Sequence, residues 1–399
     1  MSTDPEQNYV SNDRTEEIKF DVSRLKQFLV IPGRSNQIML PKYALYIIKG
    51  TIHILLFLVC FFVLSIAHSQ TSNLFESDEI LEFTLRGDLK SAFKDRGDDP
   101  QYRKATVHYQ EDQTTFDIPV KIKARGNFRR TMANCKYPPI FLNFKKSEIP
   151  KASIFRGQDK TKLVTSCRGD QFVVNEYLVY KMYNLITPNS FRVRLVKVIY
   201  QDTVKNKSSD PSFAFLLEEE EQMANRNLSN SVEIEKLSPQ KTQKEAFLQM
   251  AVFQYLIGNT DWSVQYQQNI KLLTVESTSL PITVPYDFDH AGIVRAPYAN
   301  PAPELKMSST LQRRYRGYCM PDMKVFTAVF ETFNQFRDDF YAIYSDNPLL
   351  SDNYQKKTLK FLDQFYETIN DPKKAREAFS YPCDKSGTGN VIIKGLNTN

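Results

Sequence analysis

The chain has 399 residues, 41% of them hydrophobic and 13% aromatic, which supports packed cores and excludes global disorder. Its net charge is +6, of which residues 1–69 carry +1, so the remainder holds +5. That mild excess suits phosphate-bearing ligands and is too diffuse for a nucleic-acid partner.

Taken in chain order, a polar stretch precedes Thr51–Ala67, which is apolar and carries no formal charge. Lys42 and Lys49 flank this run on one side and Ala67-His68-Ser69 on the other, an arrangement typical of secretory signals. Two readings stand. Translation starting at Met39 makes Met39–Ser69 a signal peptide; alternatively residues 44–67 are an uncleaved anchor. Either one places residues 70–399 outside the cytoplasm, in the periplasm or beyond, because the basic flank stays inside. Cys135, Cys167, Cys319 and Cys383 agree with an oxidising compartment, allow three pairings, and lack metal-ligand spacing. Four histidines and no His cluster argue against a metalloprotease.

Ser72–Gln101 is charged and reads as a loosely packed start. Alternation then predicts strands at 105–109, 116–124 and 140–144. Lys121, Lys123 and Arg125 share one face of the second, ahead of an Arg125-Gly126-Asn127 turn with Arg129 and Arg130 just beyond. This is either a solvated face or a basic tip that covers phosphates. A strand at 160–167 carries Lys162, and a helix over 171–185 carries Glu176. Lys on a strand and Glu on the next helix is the pair that orients nucleotide phosphates in kinases; Lys136 is the second candidate for the lysine. Strands follow at 191–201 and 213–217, then the acidic run Glu218–Glu221, read as a solvated strand end or an adenine-facing hinge.

Ser238-Pro239 predicts a helix start and Gly258 its cap. Asp261 then follows the helix, Asn269 opens a strand, and Asp287 ends the next one. Two carboxylates and an amide are oxygen ligands suited to Mg²⁺ or Mn²⁺ shared with a nucleotide. One helix over 323–344, another over 353–369 and a short one over 372–379 complete the chain before a tail expected to be mobile. The expected division is 1–69 for the tail with signal or anchor, 70–222 strand-rich, 223–385 mainly helical, and 386–399 the tail.

The blocks Gly258-Asn259-Thr260-Asp261-Trp262, Asn269-Ile270-Lys271-Leu272 and Tyr286-Asp287-Phe288-Asp289 resemble the CotH-type kinase family, closest to its bacterial extracytoplasmic branch. The resemblance covers about 121–317, and the Arg125-Gly126-Asn127 turn also fits it. Departures from ordinary protein kinases point the same way. No His-Arg precedes Asp261, Asp261 and Asn269 are eight apart, and Asp289 stands where glycine is usual. The resemblance implies an α+β, atypical bilobed protein-kinase-like fold with a strand-rich N-lobe and a helical C-lobe.

On that reading Asp261 is the catalytic base. Asn269 and Asp287 hold the metal, while Asp289 binds a second metal or caps the turn. Lys162, oriented by Glu176, and Arg125 meet the phosphates of ATP. Trp262 and His290 are read as packing or loop-ordering residues. The expected activity is Mg-ATP-dependent phosphate transfer to a protein hydroxyl. A catalytically inactive pseudokinase or scaffold is the alternative, and a metal-dependent phosphohydrolase or a sugar or lipid transferase is the third reading.

Overall fold

Burial alternates strictly along β2 (Arg103–Glu111) and β3 (Thr114–Ala124), with Val107, Tyr109, Ile118, Val120 and Ile122 turned inward. This period of two makes one face of each strand apolar and drives their pairing into a long hairpin. The computed structural model describes residues 74–277 and 279–386, within a compact unit that spans Thr71–Asn399. The apolar run Thr51–Ala67 and the tail beyond 386 lie outside the described residues.

β4 (Ile140–Phe144) and β5 (Lys160–Thr165) extend the hairpin, and β6 (Val193–Asp202), the short β7 (Lys207–Ser208) and β8 (Ser212–Leu217) complete the sheet. Among the described residues six of these strands, with β1 (Leu81–Gly87), close on themselves in the order β1-β2-β3-β4-β5-β8-β6 and back to β1. Every pairing in the ring is antiparallel except β1–β6, which runs parallel from Leu81↔Val196 to Gly87↔Asp202. β7 hangs from β6 outside the ring.

The bilobed kinase-like architecture expected from the motifs is therefore corrected: the strands form a closed mixed barrel, with the helices in a separate region. The closing strand is β1, inside the stretch read as a loose start. Leu81, Phe83 and Leu85 of β1 are buried with Val107, Ile118, Leu142, Val196 and Leu216 in a core of their own. Closure leaves no unpaired edge in the ring, which an open sheet would have to protect by other means.

A second core covers part of the barrel's outside. Val164, Val193, Leu195, Phe215 and Leu217 face outward from β5, β6 and β8 and pack with α2 (Asp170–Ile186). α2 follows α1 (Leu89–Lys94) in the chain. This explains why β6 and β8 read as near-continuous apolar runs: both their faces are buried. The same core includes α4 (Lys244–Ile257), which follows α3 (Glu220–Arg226), and a three-stranded sheet of β9 (Asn230–Val232), β10 (Ile270–Thr274) and β11 (Ile282–Pro285).

Ser238-Pro239 opens only a 3-10 turn, and α4 begins six residues later at Lys244. The helix expected over 323–344 is a 3-10 turn followed by α5 (Thr327–Gln335) and α6 (Arg337–Tyr344), interrupted at Phe336. α7 (Asp352–Ile369) and α8 (Pro372–Phe379) follow as expected.

Two disulfides, Cys135–Cys167 and Cys319–Cys383, select one of the three possible pairings and are consistent with a non-cytoplasmic protein. No described helix is long and apolar enough to cross a membrane.

Leu85 is fully buried in the closing strand. Leu85→Ala should cost about 2–5 kcal/mol of stability by urea unfolding, the range for a lost core leucine. A loosely packed start would give a cost near zero.

Candidate functional site

α4 ends at Gly258, whose left-handed φ of 69° lets its N–H reach the carbonyls of Gln254 and Tyr255. A Cβ here would lie 2.9 Å from the Thr310 carbonyl oxygen, so glycine is required on both counts. The Gly292 N–H donates to the Gly258 carbonyl at 3.1 Å and the Ile293 N–H to that of Ile257 at 3.0 Å. These bonds pin the segment after Asp287 against the end of α4. The Asp261 N–H donates to Asn259 Oδ1 at 3.0 Å, setting the turn that carries the Asp261 carboxylate.

Asn269 stands one residue before β10 and donates from Nδ2 to the Asp261 carbonyl at 2.8 Å and to Asp261 Oδ2 at 3.0 Å. Its own carbonyl accepts the Tyr286 N–H at 3.0 Å, which places Asp287 next in line. The Asp287 N–H in turn donates to the buried Tyr180 hydroxyl of α2 at 2.8 Å. Asn269 (φ 53°) and Asp287 (φ 59°) both adopt the left-handed region. Asn and Asp tolerate this region better than other non-glycine residues, which suits both to the tight turns they occupy. Thus Asp261, Asn269 and Asp287 lie along one chain of hydrogen-bonded neighbours, supplied by a helix end and two strand ends.

Arg129 dominates the adjoining electrostatics. It is buried in the turn between β3 and β4, bound to carboxylates rather than lying on the solvated face or phosphate-covering tip expected from the sequence. Its Nε donates to Asp289 Oδ2 at 2.8 Å, and its Nη2 to Glu176 Oε2 at 2.7 Å and Asp287 Oδ1 at 3.1 Å. The expected Lys162–Glu176 pair is therefore replaced: Glu176, buried on α2, is taken by Arg129. The Cys135–Cys167 bridge ties the loop that carries Arg129 to the segment entering α2. Closing a loop with a separation of 32 residues contributes about 3–4 kcal/mol in the chain-entropy account. The signals in the sequence are its place beside the basic turn and a cysteine six residues on, and neither specifies a carboxylate partner.

Lys162 makes no ion pair among the described residues. Its ammonium lies over the rings of Tyr286 (5.3 Å) and Phe191 (5.9 Å), and burial, with Arg125 and Lys271 nearby, lowers its pKa to about 8. Arg125 rests its guanidinium 5.2 Å from the centre of the Phe141 ring, on the same side of the barrel. Lys136 is exposed and covers its neighbour Tyr137, away from this cluster. The Glu218–Glu221 run is largely structural: Glu218 binds Arg226 at 2.9 Å, and Glu220 binds Lys271 at 2.7 Å.

One arginine facing three carboxylates leaves the site over-supplied with negative charge. Burial raises the pKa of Glu176 despite Arg129; desolvation of its carboxylate and the nearby Asp289 raise that of Asp287, although part of its side chain stays open to solvent. Burial acts the same way on Asp289, but Arg129, His290 and a hydrogen bond from Tyr298 outweigh it and hold the group low. Asp261 is pushed up to about 6, first by burial and then by Asp289 and Asp287. Asp287 keeps 42% of its side-chain surface exposed, whereas Asp289 keeps 7%. The accessible groups are thus Asp261 and Asp287. His290 packs edge-on against Phe128 and Tyr298, as a loop-ordering residue would, and its buried Nδ1 has no hydrogen-bond partner among the described residues.

Among the described residues no three His, Cys, Asp or Glu side chains are grouped to hold an ion unaided. Asp261 and Asp287 with the Asn269 amide supply the hard oxygen donors a divalent cation takes, and their surplus charge fits one.

No family model matches the chain, and no curated protein matches it. Among solved structures, a proinflammatory kinase of Helicobacter pylori, CtkA, is similar over 62% of this chain and 92% of its own, at 10% identity. Its TM-score of 0.37 is too low to assign fold or activity.

Arg129→Ala should be severely destabilising, by about 3–5 kcal/mol in denaturant unfolding at pH 7, since it leaves buried charge uncompensated. Removing the cation raises the folded-state pKa values of Glu176 and Asp287 further above their unfolded ones and releases Asp289 from the interaction that holds it low. The variant's stability should therefore recover as pH falls from 7 towards 5 and its carboxylates protonate. A deficit independent of pH would show that Arg129 acts by packing alone.

Proposed function

We propose that the chain is an exported phosphotransferase using Mg²⁺ (or Mn²⁺) and ATP to phosphorylate a protein hydroxyl. The observation that carries this reading is the convergence of Asp261, Asn269 and Asp287, with the latter two in left-handed backbone, beside a buried excess of carboxylate charge. The resemblance of these motifs to the CotH-type kinases supports the same activity, and the two disulfides support an extracytoplasmic setting.

Asn269 and Asp287 would hold the metal, with Asp289 behind them; when bound it supplies positive charge against the phosphate oxygens. The protein's own groups do the rest. Asp261 accepts the hydroxyl proton; a pKa near 6 keeps it ionised at neutral pH yet makes it a stronger base than an ordinary aspartate. Lys162 and Arg125 meet the phosphates from the barrel side, and an anion beside Lys162 favours its charged form. Arg129 fixes the positions of Glu176, Asp287 and Asp289 and so acts as a positioning residue.

A second reading, a binding or scaffold module that transfers nothing, is favoured by one observation. Lys162 lacks the carboxylate partner that orients it in active kinases, because Arg129 occupies Glu176.

Radiolabelled phosphate from Mg-ATP should be incorporated by the purified protein. Asp261→Asn and Asp287→Asn should each lower the rate by about 10²-fold or more. The rate should rise with pH through about 6, as Asp261 ionises, and Asp261→Asn should abolish that limb. Undiminished incorporation in both variants would end the proposal.

A further inference from the structure

The barrel's outer face is covered by α2 over part of β5 and over β8 and β6, but from β2 across β3 and β4 to the start of β5 it is bare, with lysines on β2, β3 and β5. Strand register shows how the charges are arranged. Lys104 of β2 lies directly opposite Lys121 of β3, which faces Asn143 of β4, which faces Lys160 of β5. On the adjacent rung Lys123 faces Phe141, which faces Lys162. Like charges directly opposite across a sheet are destabilising. Neither Lys104 nor Lys121 has a carboxylate partner among the described residues, so nothing in the fold repays that cost. A groove of about 850 Å³ runs beside them, lined by Tyr102, Lys104, Lys121, Asn143 and Lys145.

We infer that this strip docks an acidic stretch of the protein acceptor and leads it towards Lys162 and Asp287. The inference rests on the phosphotransferase reading for the identity of its occupant. From Lys104 to Lys160 is three strand spacings, roughly 14 Å, the span of about four or five extended residues. The strip is narrow, two rungs wide. Beyond it Asp117 is engaged by His108 at 2.8 Å and Arg86 at 3.5 Å, and the one carboxylate lining the groove, Glu148, is neutralised by Lys145 at 2.6 Å. Such a track suits an extended chain better than the broad plane of a lipid surface. Nucleic acid is disfavoured because the aromatic faces are already taken. Lys123 covers Tyr102 at 4.8 Å, and Arg125 and Lys160 lie by Phe141 at 5.2 and 5.0 Å, leaving no stacking platform for bases.

Fluorescence anisotropy on the full-length protein tests this, using a labelled octapeptide with one serine among glutamates and its glutamine counterpart. The glutamate peptide should bind more tightly and weaken steeply with salt. Lys104→Glu/Lys121→Glu should weaken it at least tenfold and Lys104→Gln/Lys121→Gln to a lesser degree, both with wild-type circular dichroism. Asp261→Asn should retain peptide binding while losing phosphate transfer. Peptide binding at the strip with no transfer by the wild-type protein would sink the catalytic reading and leave the docking surface standing. Equal affinity for the two peptides overturns the inference, as does affinity unchanged in both lysine variants. So does tighter binding to phosphatidylglycerol vesicles or a DNA oligonucleotide.

Discussion

The arrangement around Arg129 is the constraint on which the rest of the site depends. Three carboxylates, from α2 and from the segment after β11, converge on one guanidinium at 2.7 to 3.1 Å. Burying that many anions without a cation would be prohibitive, and an arginine fork can serve several acceptors at fixed angles. The barrel, the long helix and the two-strand segment are thereby joined through a single side chain. Its loop is held in turn by Cys135–Cys167, so a covalent tie and an ionic one act on the same joint.

The pairing still leaves negative charge in excess, and this is where structure meets chemistry. Asp287 is shared with Arg129 yet remains open to solvent, while Asp261 is raised towards neutrality by its neighbours. Groups in that condition gain most from an incoming cation, because it relieves their mutual repulsion as well as binding them. Asn269 contributes rigidity: its amide holds the Asp261 carboxylate, and its carbonyl sets the residue before Asp287.

The barrel divides the molecule's surface into two kinds. Where β8, β6 and the end of β5 face outward they are apolar and carry α2; from β2 across to the start of β5 the outer face is bare and carries lysines of β2, β3 and β5. Both faces belong to one closed sheet, so the helical side is held rigidly relative to the basic side. Lys162 lies on the border, on a rung shared with the basic strip and against Tyr286 of the helical region.

Much of this was legible from the residues in order. The strands β2 to β6 and β8, the helices α2, α7 and α8, and the Gly258 cap follow from alternation, helical stripes and a left-handed glycine, all local properties. The grouping of Asp261, Asn269 and Asp287 was also suggested by short, locally spaced motifs. What the sequence could not state was nonlocal. Leu81–Gly87 carries enough charge to look like a linker, and only its parallel partner, more than a hundred residues away, makes it a barrel strand. Glu176 had a plausible lysine partner by spacing, but Arg129, 47 positions distant, outcompetes it once the loop folds back. Periodicity is written into neighbouring residues, whereas the choice among counter-ions and the closure of a sheet depend on which distant groups the folded chain brings within a few ångströms.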